Sequence, residues 1–422
     1  MMPNSTNFSH NRQRWAWAFY DWANSAFILI VATAFFPIFF RKYWAGGLPS
    51  GEITLHLGTA NAIASLSIML LAPFLGAIAD QGGIKKPMMA AFVTLGVGAT
   101  LGLSQVGEGQ WQWAMAAFIL AIVGFLGANI FYDSLLVDVA EEKDFNRVSA
   151  LGFAVGYLGS GLLFVLCVLL TLKPAWFGLV DNSMAVRWAF GITAVWWAVF
   201  SIPLWLWVKE RRRVAQAAQR PPMLMRQSFR QLLDTFRHIR QLRVVGMFLL
   251  AYWFYIDGVD TVILMSVDYG KALGFADDSL ITALLLTQFI AFPAALVFGW
   301  LGNRLGAKRG ILIALAGYVL ITLLAVRMQA AWEFYLLAGM VGLVQGGVQA
   351  LSRSLYASLI PAEQATEFFG FYNMLGKFAA VLGPLLVGWV GVLTGSPRLG
   401  LLAVLVLFAL GALLLWRMPE RA

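Results

Sequence analysis

The chain has few of the residues that metal sites, disulfides and acid–base enzymes use. Its 422 residues include one cysteine, Cys167, and three histidines, His10, His56 and His238. A single cysteine excludes an intrachain disulfide. His10 and His238 lie outside the long apolar runs and His56 lies at the edge of one, which argues against a haem or a histidine-bound metal buried in a membrane. We therefore expect no metal and no other cofactor.

Charge is also scarce. Only 12% of the residues are charged and 60% are hydrophobic, whereas soluble proteins average about 25% and about 45–50%. A soluble chain of this length could not bury so much apolar surface in one or two cores, so lipid is the expected solvent. The net charge of +9 does not indicate a nucleic-acid partner, because the basic residues lie in loops between apolar segments.

The apolar residues fall into twelve runs, and a membrane-crossing helix needs roughly 20 of them. The polar start of the chain shows no signal-peptide cleavage pattern, so the first run is expected to be a retained span. The predicted spans lie near residues 15–40, 55–79, 87–106, 111–137, 147–172, 186–208, 243–267, 279–301, 310–327, 332–358, 368–394 and 398–416.

The distribution of lysine and arginine predicts the orientation. With the N-terminus inside, most basic residues fall on the cytosolic side, and the opposite loops hold fewer. The cytosolic set is Arg12, Arg14, Lys85, Lys86, Lys209, Arg211, Arg212, Arg213, Arg304, Lys308, Arg309, Arg417 and Arg421. The sequence thus predicts a multi-pass inner (plasma) membrane protein with both termini in the cytosol.

The longest loop divides the chain into two groups of six helices. We predict an N-terminal bundle over 1–208, a cytosolic linker over 209–242 with an amphipathic surface helix, and a C-terminal bundle over 243–422. The halves are related, since Gly-Ala-Ile-Ala-Asp-Gln-Gly-Gly-Ile-Lys-Lys from Gly76 resembles Gly-Trp-Leu-Gly-Asn-Arg-Leu-Gly-Ala-Lys-Arg from Gly299. Such repeats are typical of transporters built from two parallel halves.

Polar residues inside the spans recur every three or four positions, which places each set on one helical face turned away from lipid. Those expected to bind substrate or couple transport are Asp257, Asp260, Lys377, Gln345, Gln349, Asn129, Asn24 and Asn373. Those expected to form a cytosolic gate are Asp80, Gly83, Lys85, Lys86, Asp21, Asp133 and Arg353. Static pairing of these charges is the alternative, and it is favoured for Asp133 and Arg353.

Two groups of these charges carry specific expectations. Asp257 and Lys377, roughly 21 and 13 Å from the cytosolic starts of their helices at 1.5 Å per residue, are predicted to pair near the midplane and to hold the amine and carboxylate of a zwitterionic solute. Asp80 is predicted to accept backbone N–H groups at the N-terminus of a facing helix. Lys85 and Lys86 are predicted to pair with Asp138, Glu141 or Glu142.

The motifs resemble a known family. The Asp80 loop and its second copy resemble the cytosolic motif of the major facilitator superfamily. Trp-Ala-Phe-Tyr-Asp-Trp-Ala-Asn-Ser-Ala-Phe from Trp17, Gln-Gly-Gly-Val-Gln-Ala-Leu-Ser-Arg-Ser from Gln345, and Glu-Phe-Phe-Gly-Phe-Tyr-Asn from Glu367 are similar to its autophagy-related vacuolar effluxer-like branch, whose bacterial members form the unknown major facilitator family.

The resemblance implies an all-α membrane fold of twelve helices in two pseudo-symmetric bundles, with a central cavity lined by helices one, four, seven and ten. It also implies export or uptake of a small solute, and fungal relatives are linked to amino-acid efflux from the vacuole. Two departures from the pattern bear on mechanism. Asn303 replaces the acid of the second loop copy, and the fifth helix lacks the Gly-Pro pair expected of antiporters.

The expected function is secondary active transport of a small solute, such as an amino acid or similar metabolite, by alternating access. Protons are the expected coupling ion, membrane lipid surrounds a monomer, and no nucleic acid is involved. Two alternatives stay open: a receptor or scaffold that does not transport, and a membrane enzyme with carboxylate or Ser/Lys chemistry. No phosphate-binding loop is visible, so ATP is not the expected energy source.

Overall fold

The structure is a computed structural model that describes residues 5–210, 242–272 and 277–419. Within these ranges twelve helical segments are long and apolar enough to cross a membrane, as predicted. They are α1 His10–Trp44, α2 Gly51–Gly82, α3 Lys85–Leu103, α4 Trp111–Val139, α5 Glu142–Leu172, α6 Asn182–Trp207, α7 Arg243–Ile263, α8 Ser279–Leu305, α9 Ala307–Arg327, α10 Trp332–Leu359, α11 Ala362–Thr394 and α12 Arg398–Arg417. The helix of α7 continues to Ala272.

Several helices begin earlier or end later than their apolar runs predict. The second was expected over 55–79 and extends over Gly51–Gly82, and the eleventh was expected from residue 368 and begins at Ala362. The extra turns are polar and hydrogen-bonded to neighbouring helices, as Asp80 is to Thr366. A hydropathy profile misses such turns because it marks only the apolar part of a helix, which lies in lipid, and not its polar ends.

The first six helices pack on one another mainly through α1 with α5 and α6, and α4 with α2 and α3. The last six do so through α7 with α11 and α12, and α10 with α8 and α9. Between the two groups, α5 lies against α8 and α10, and α11 lies against α2 and α4. The predicted linker helix falls on residues 211–241, outside the described residues.

Both ends of the described chain lie at the same face of the helical array, which we call the terminal face. There the Lys209 amide donates to Gln13, and the Lys308 ammonium donates to the carbonyl of Met418, 2.6 Å away. The backbones of α2 and α11 touch close to this face, because a side chain on Gly76 would collide with the carbonyl oxygen of Thr366 and the backbone of Glu367. The two groups of helices are thus in direct contact at the terminal face.

The first helix is irregular where it passes the centre of the molecule. It is π-helical over Phe27–Phe35 and again over Phe40–Trp44, on either side of the turn that contains Pro37. Proline has no backbone N–H, so the carbonyl of Thr33 loses its usual helical donor. The Thr33 hydroxyl donates to the carbonyl of Ile28, 2.8 Å away. Wide turns of this kind occur often at functional sites, and Ile28, Leu29 and Thr33 all line the cavity described next.

Candidate functional site: a central polar cavity

A cavity of about 480 Å³ lies between the two groups of helices. Its walls mix apolar side chains with carboxylates, amides, tyrosines and one lysine. Ten of the fifteen residues predicted for substrate binding or gating line it: Asp21, Asn24, Asn129, Asp133, Asp260, Gln345, Gln349, Arg353, Asn373 and Lys377. The fold thus brings together predicted residues that lie more than 350 positions apart in the chain.

The cavity runs away from the terminal face. Arg353 and Asp133 form its end near that face, while Met328, Phe334 and Leu401, which lie close to the opposite ends of their helices, line the other end. The polar side chains therefore occupy the inner part, and the wall becomes apolar toward the opposite face. A solute that reached the polar part would meet a closed terminal side.

Arg353 forms the closed end. Its side chain is 2% exposed, and its guanidinium donates to Asp133 at 3.1 Å and to Asp21 at 3.4 Å. It also donates to the hydroxyl and carbonyl oxygens of Ser149, at 2.9 and 3.0 Å. This one side chain of α10 therefore binds α1, α4 and α5, which are the helices of the other group that surround the cavity.

Aromatic rings and further hydrogen bonds hold this ionic network in place. The guanidinium lies over the rings of Phe153 and Trp17, 4.3 and 4.7 Å from their centroids, which favours a cation. The Tyr132 hydroxyl donates to Asp21 at 2.7 Å, and the Asn373 amide donates to Asp133 at 3.1 Å. Sequence reasoning missed the three aromatic residues and Ser149, although Tyr132 lies three positions after the predicted Asn129.

Three amide side chains of the wall are hydrogen-bonded, two to each other and one to a tyrosine. Asn24 on α1 donates to Asn129 on α4 at 2.7 Å, and the Tyr157 hydroxyl of α5 donates to Gln349 on α10 at 2.7 Å. The second pair again joins the two groups of helices. Gln288 on α8 also lines the cavity; it was missed, although a glutamine in the middle of an apolar run is a visible signal.

The structure places Asp257 differently from the prediction. Asp257 does not line the cavity, and no ion pair joins it to Lys377 within the described ranges. The acid that acts electrostatically on Lys377 is Asp260, three residues later, and both of these side chains line the cavity. Three residues advance a helix by about 300°, so Asp257 and Asp260 occupy neighbouring but different faces, and sequence spacing did not show which one faces inward.

Asp80 makes the contact expected of it. Its carboxylate accepts the hydroxyl of Thr366 at 2.6 Å and the backbone N–H of Glu367 at 2.9 Å, in the first turns of α11. This negative charge at a helix N-terminus is favourable, and it again links the two groups of helices. Gly83 ends α2 in the left-handed region, with φ of 59°, and lies on the surface.

The two lysines after this turn behave differently. Lys85 pairs with Asp138 at 3.2 Å, as expected, and lies 3.6 Å from Asp80. The Lys86 ammonium donates to the carbonyls of Trp205 and Val208 at the end of α6, at 2.9 and 2.7 Å, and the acid that acts on it electrostatically is Glu210. The prediction that Lys86 pairs with Asp138, Glu141 or Glu142 was wrong, because the unpaired carbonyls at a helix end also attract a cation.

The other acids proposed as partners also lie elsewhere. Glu141 pairs with Lys143 at 2.7 Å, and Glu142 is exposed. Among the described residues, no three His, Cys, Asp or Glu side chains lie where they could hold a metal ion together.

The sequence of the chain is similar to those of known membrane transporters. The family model described as "Vacuole effluxer Atg22 like" matches residues 57–422. The chain is 40% identical over 411 residues to the MFS-type transporter YxiO of Bacillus subtilis, covering 97% of this chain and 95% of YxiO. It is 27% identical over 296 residues to autophagy-related protein 22-2 of Aspergillus clavatus, covering 64% of this chain and 48% of the fungal protein. The chain thus matches about half the length of that fungal relative.

Solved structures show the same fold. The human organic anion transporter MFSD10 (TETRAN) superposes with a TM-score of 0.70 at 15% identity, covering 98% of this chain and all of that one. The major facilitator transporter FucP in its outward conformation superposes with a TM-score of 0.71 at 12% identity, covering 98% and 99%. The chain therefore belongs to the Vacuole effluxer Atg22-like family and is a transporter of the major facilitator type.

Proposed function

We propose that this protein is a secondary active transporter that moves a small zwitterionic solute, such as an amino acid or similar metabolite, by alternating access. The observation that carries the proposal is the cavity itself, which has polar walls and is closed at one end by a buried network joining both groups of helices. A cavity closed on one side is what alternating access requires of each end state.

The cavity wall favours a zwitterion because it presents both signs of charge to the same space. Lys377 would receive the solute carboxylate and Asp260 its amine, while Asn24, Asn129 and Gln345 would bond to the rest of its polar surface. Asp260 thus takes the role that the sequence assigned to Asp257. Lys377 acts electrostatically on Asp260, so the two charges partly compensate each other in a low-dielectric site when the solute is absent.

Asp21, Asp133 and Arg353 would serve as the gate at the terminal face, and Asp80 with Lys85 as a second contact that must separate when this face opens. We further propose that the terminal face is cytosolic in the inner membrane, that the direction is efflux and that protons drive transport. The support is the Lys/Arg distribution for orientation, the description of the matching family as effluxer-like for direction, and the buried carboxylates for proton coupling.

The first test is a screen of solutes for thermal stabilisation of the purified protein, with amino acids first. A ligand at 100 times its Kd stabilises the native state by about 2.7 kcal/mol. Lys377→Ala and Asp260→Asn should each abolish the stabilisation by the solute identified, whereas Lys173→Ala, which removes an exposed lysine, should retain it. Equal stabilisation of all three variants by the solute would show that Lys377 and Asp260 do not bind it.

The second test is flux of that solute in proteoliposomes. A transporter should accumulate the solute when an inward or outward pH gradient is imposed, and should exchange it when none is. Binding without any flux would instead support the receptor alternative, which the same cavity could serve.

A further inference from the structure

Asp257 is a buried carboxylate that the solute site does not use. The residue is 1% exposed and lies on α7 against α11. One carboxylate oxygen, Oδ1, accepts the backbone N–H of Gly383 at 3.0 Å. The other, Oδ2, has no hydrogen bond of good geometry among the described residues. The Thr261 hydroxyl, one turn further along the same helix, faces the carboxylate closely enough to act on it but also forms no hydrogen bond of good geometry.

The contact depends on the glycine that precedes Pro384 inside the continuous helix α11. Gly383 has no side chain, and a Cβ there would collide with Oγ1 of Thr261 and lie 3.0 Å from Oδ1 of Asp257. The glycine therefore allows both polar groups of α7 to approach the α11 backbone, inside the helix pair and away from the cavity.

Among the described residues, no basic group compensates this carboxylate. Arg353 on α10 binds Asp21 and Asp133, and Lys377 on α11 acts on Asp260. Of the titratable groups in the described ranges, only Asp260 is near enough to act on Asp257, and it carries the same sign of charge. An isolated ionised carboxylate at such a place costs several kcal/mol.

Two kinds of ligand could remove that cost, a metal cation or a proton. Ca²⁺ takes six to eight oxygen ligands and Mg²⁺ six, whereas the described residues supply two uncommitted oxygens here, Oδ2 of Asp257 and Oγ1 of Thr261. A proton needs only one oxygen to hold it and one to accept its hydrogen bond. The number of oxygens favours the proton.

We propose that Oδ2 of Asp257 is the proton-binding site of this transporter, enclosed between α7 and α11 behind the wall of the solute cavity. Asp260, three residues away on that wall, passes the proton between cavity water and Asp257. In the transfer an O–H bond breaks at Asp260 and one forms at Oδ2 of Asp257, and the negative charge moves to Asp260, on which Lys377 acts electrostatically. The proposal rests on proton-driven transport as the function.

The test reads the proton directly and needs no solute. Infrared spectra of the purified protein at neutral pH should contain the carbonyl band of a protonated carboxylic acid. Asp257→Asn, which keeps an oxygen for the Gly383 N–H, should lose this band. Thr261→Val should shift the band to the position of a carboxyl without a hydrogen-bond acceptor. Asp260→Asn should retain the band but slow its shift after transfer to deuterium oxide.

Two results would overturn the proposal. A band that persists unchanged in Asp257→Asn belongs to another carboxyl, and a band that disappears when sodium is added at constant pH shows a metal-cation site. If Asp257→Asn does not fold, as judged by gel filtration, Asp257→Glu serves instead and should displace the band without removing it; an undisplaced band would again refute the assignment. The infrared and flux assays also separate this proposal from the proposed function. The Asp257 band without solute flux in proteoliposomes would contradict the transport function alone. Solute flux without the band would contradict the proton site alone.

Discussion

Arg353 offers the sharpest test of the closed terminal face. Its guanidinium is 2% exposed and compensates two carboxylates, those of Asp21 and Asp133, across the two groups of helices. Arg353→Ala would leave both carboxylates buried without a cation. Opening of the terminal face would admit water to them, so the substitution should favour the open form over the closed one.

The size of the effect follows from the burial of this network. Removing one partner of a buried ion pair costs about 3–5 kcal/mol, and about 1.4 kcal/mol changes an equilibrium tenfold. The ratio of open to closed protein should therefore rise by roughly 10²–10³-fold if water relieves most of the cost. Arg353→Lys keeps the charge but not the planar fork that bonds to several oxygens, so it should fall between wild type and Arg353→Ala.

A cysteine at Ser354 would report the opening. Ser354 is 1% exposed, and its hydroxyl donates to Asn146 of the other group at 2.6 Å. In a background with Cys167→Ala, Ser354→Cys should react slowly with a polar maleimide, and Arg353→Ala should accelerate the reaction strongly. The matched control is Arg147→Ala, which removes an exposed arginine from α5 and should leave the rate unchanged.

The charge argument has its own control. Adding Asp21→Asn and Asp133→Asn to Arg353→Ala removes every unpaired charge and should restore much of the slow labelling. Equal labelling rates in wild type and Arg353→Ala would refute the conclusion that this network holds the terminal face closed. A rate that stays high in the triple variant would show that packing or geometry holds the face closed, and not the balance of charge.

Three further predictions concern the terminal face and the orientation of the chain. Gly76→Ala should separate α2 from α11, because the new methyl group meets backbone atoms, and should speed labelling of the same reporter; Gly98→Ala, where a Cβ meets nothing within 4 Å, should not. Asp80→Asn should slow transport and leave equilibrium solute affinity within a few-fold, so a large loss of affinity would contradict a role in switching. Single cysteines at Ala218 and Gly274, both outside the described residues, should label from opposite sides of the membrane, and labelling from one side would overturn the orientation.

The sequence by itself determined the class of protein and most of the cavity. Twelve continuous apolar runs of roughly 20 residues indicate membrane helices, because a run of that length satisfies its own backbone in lipid as a helix. Polar residues at intervals of three or four, such as Gln345, Gln349 and Arg353, had to face other helices, since a charge in lipid is costly. The same argument found Asp21, Asp133 and Lys377, and all six line the cavity.

Only the tertiary structure decided which of these residues meet. Periodicity places a residue on a face of its own helix but does not say which neighbour covers that face. It therefore could not distinguish Asp260, which lines the cavity, from Asp257, which is enclosed against Gly383. Nor could it assign Lys86 to the carbonyl groups of α6. These contacts depend on helix rotation and on the close backbone approach at Gly383, which arise from packing between segments more than 100 residues apart.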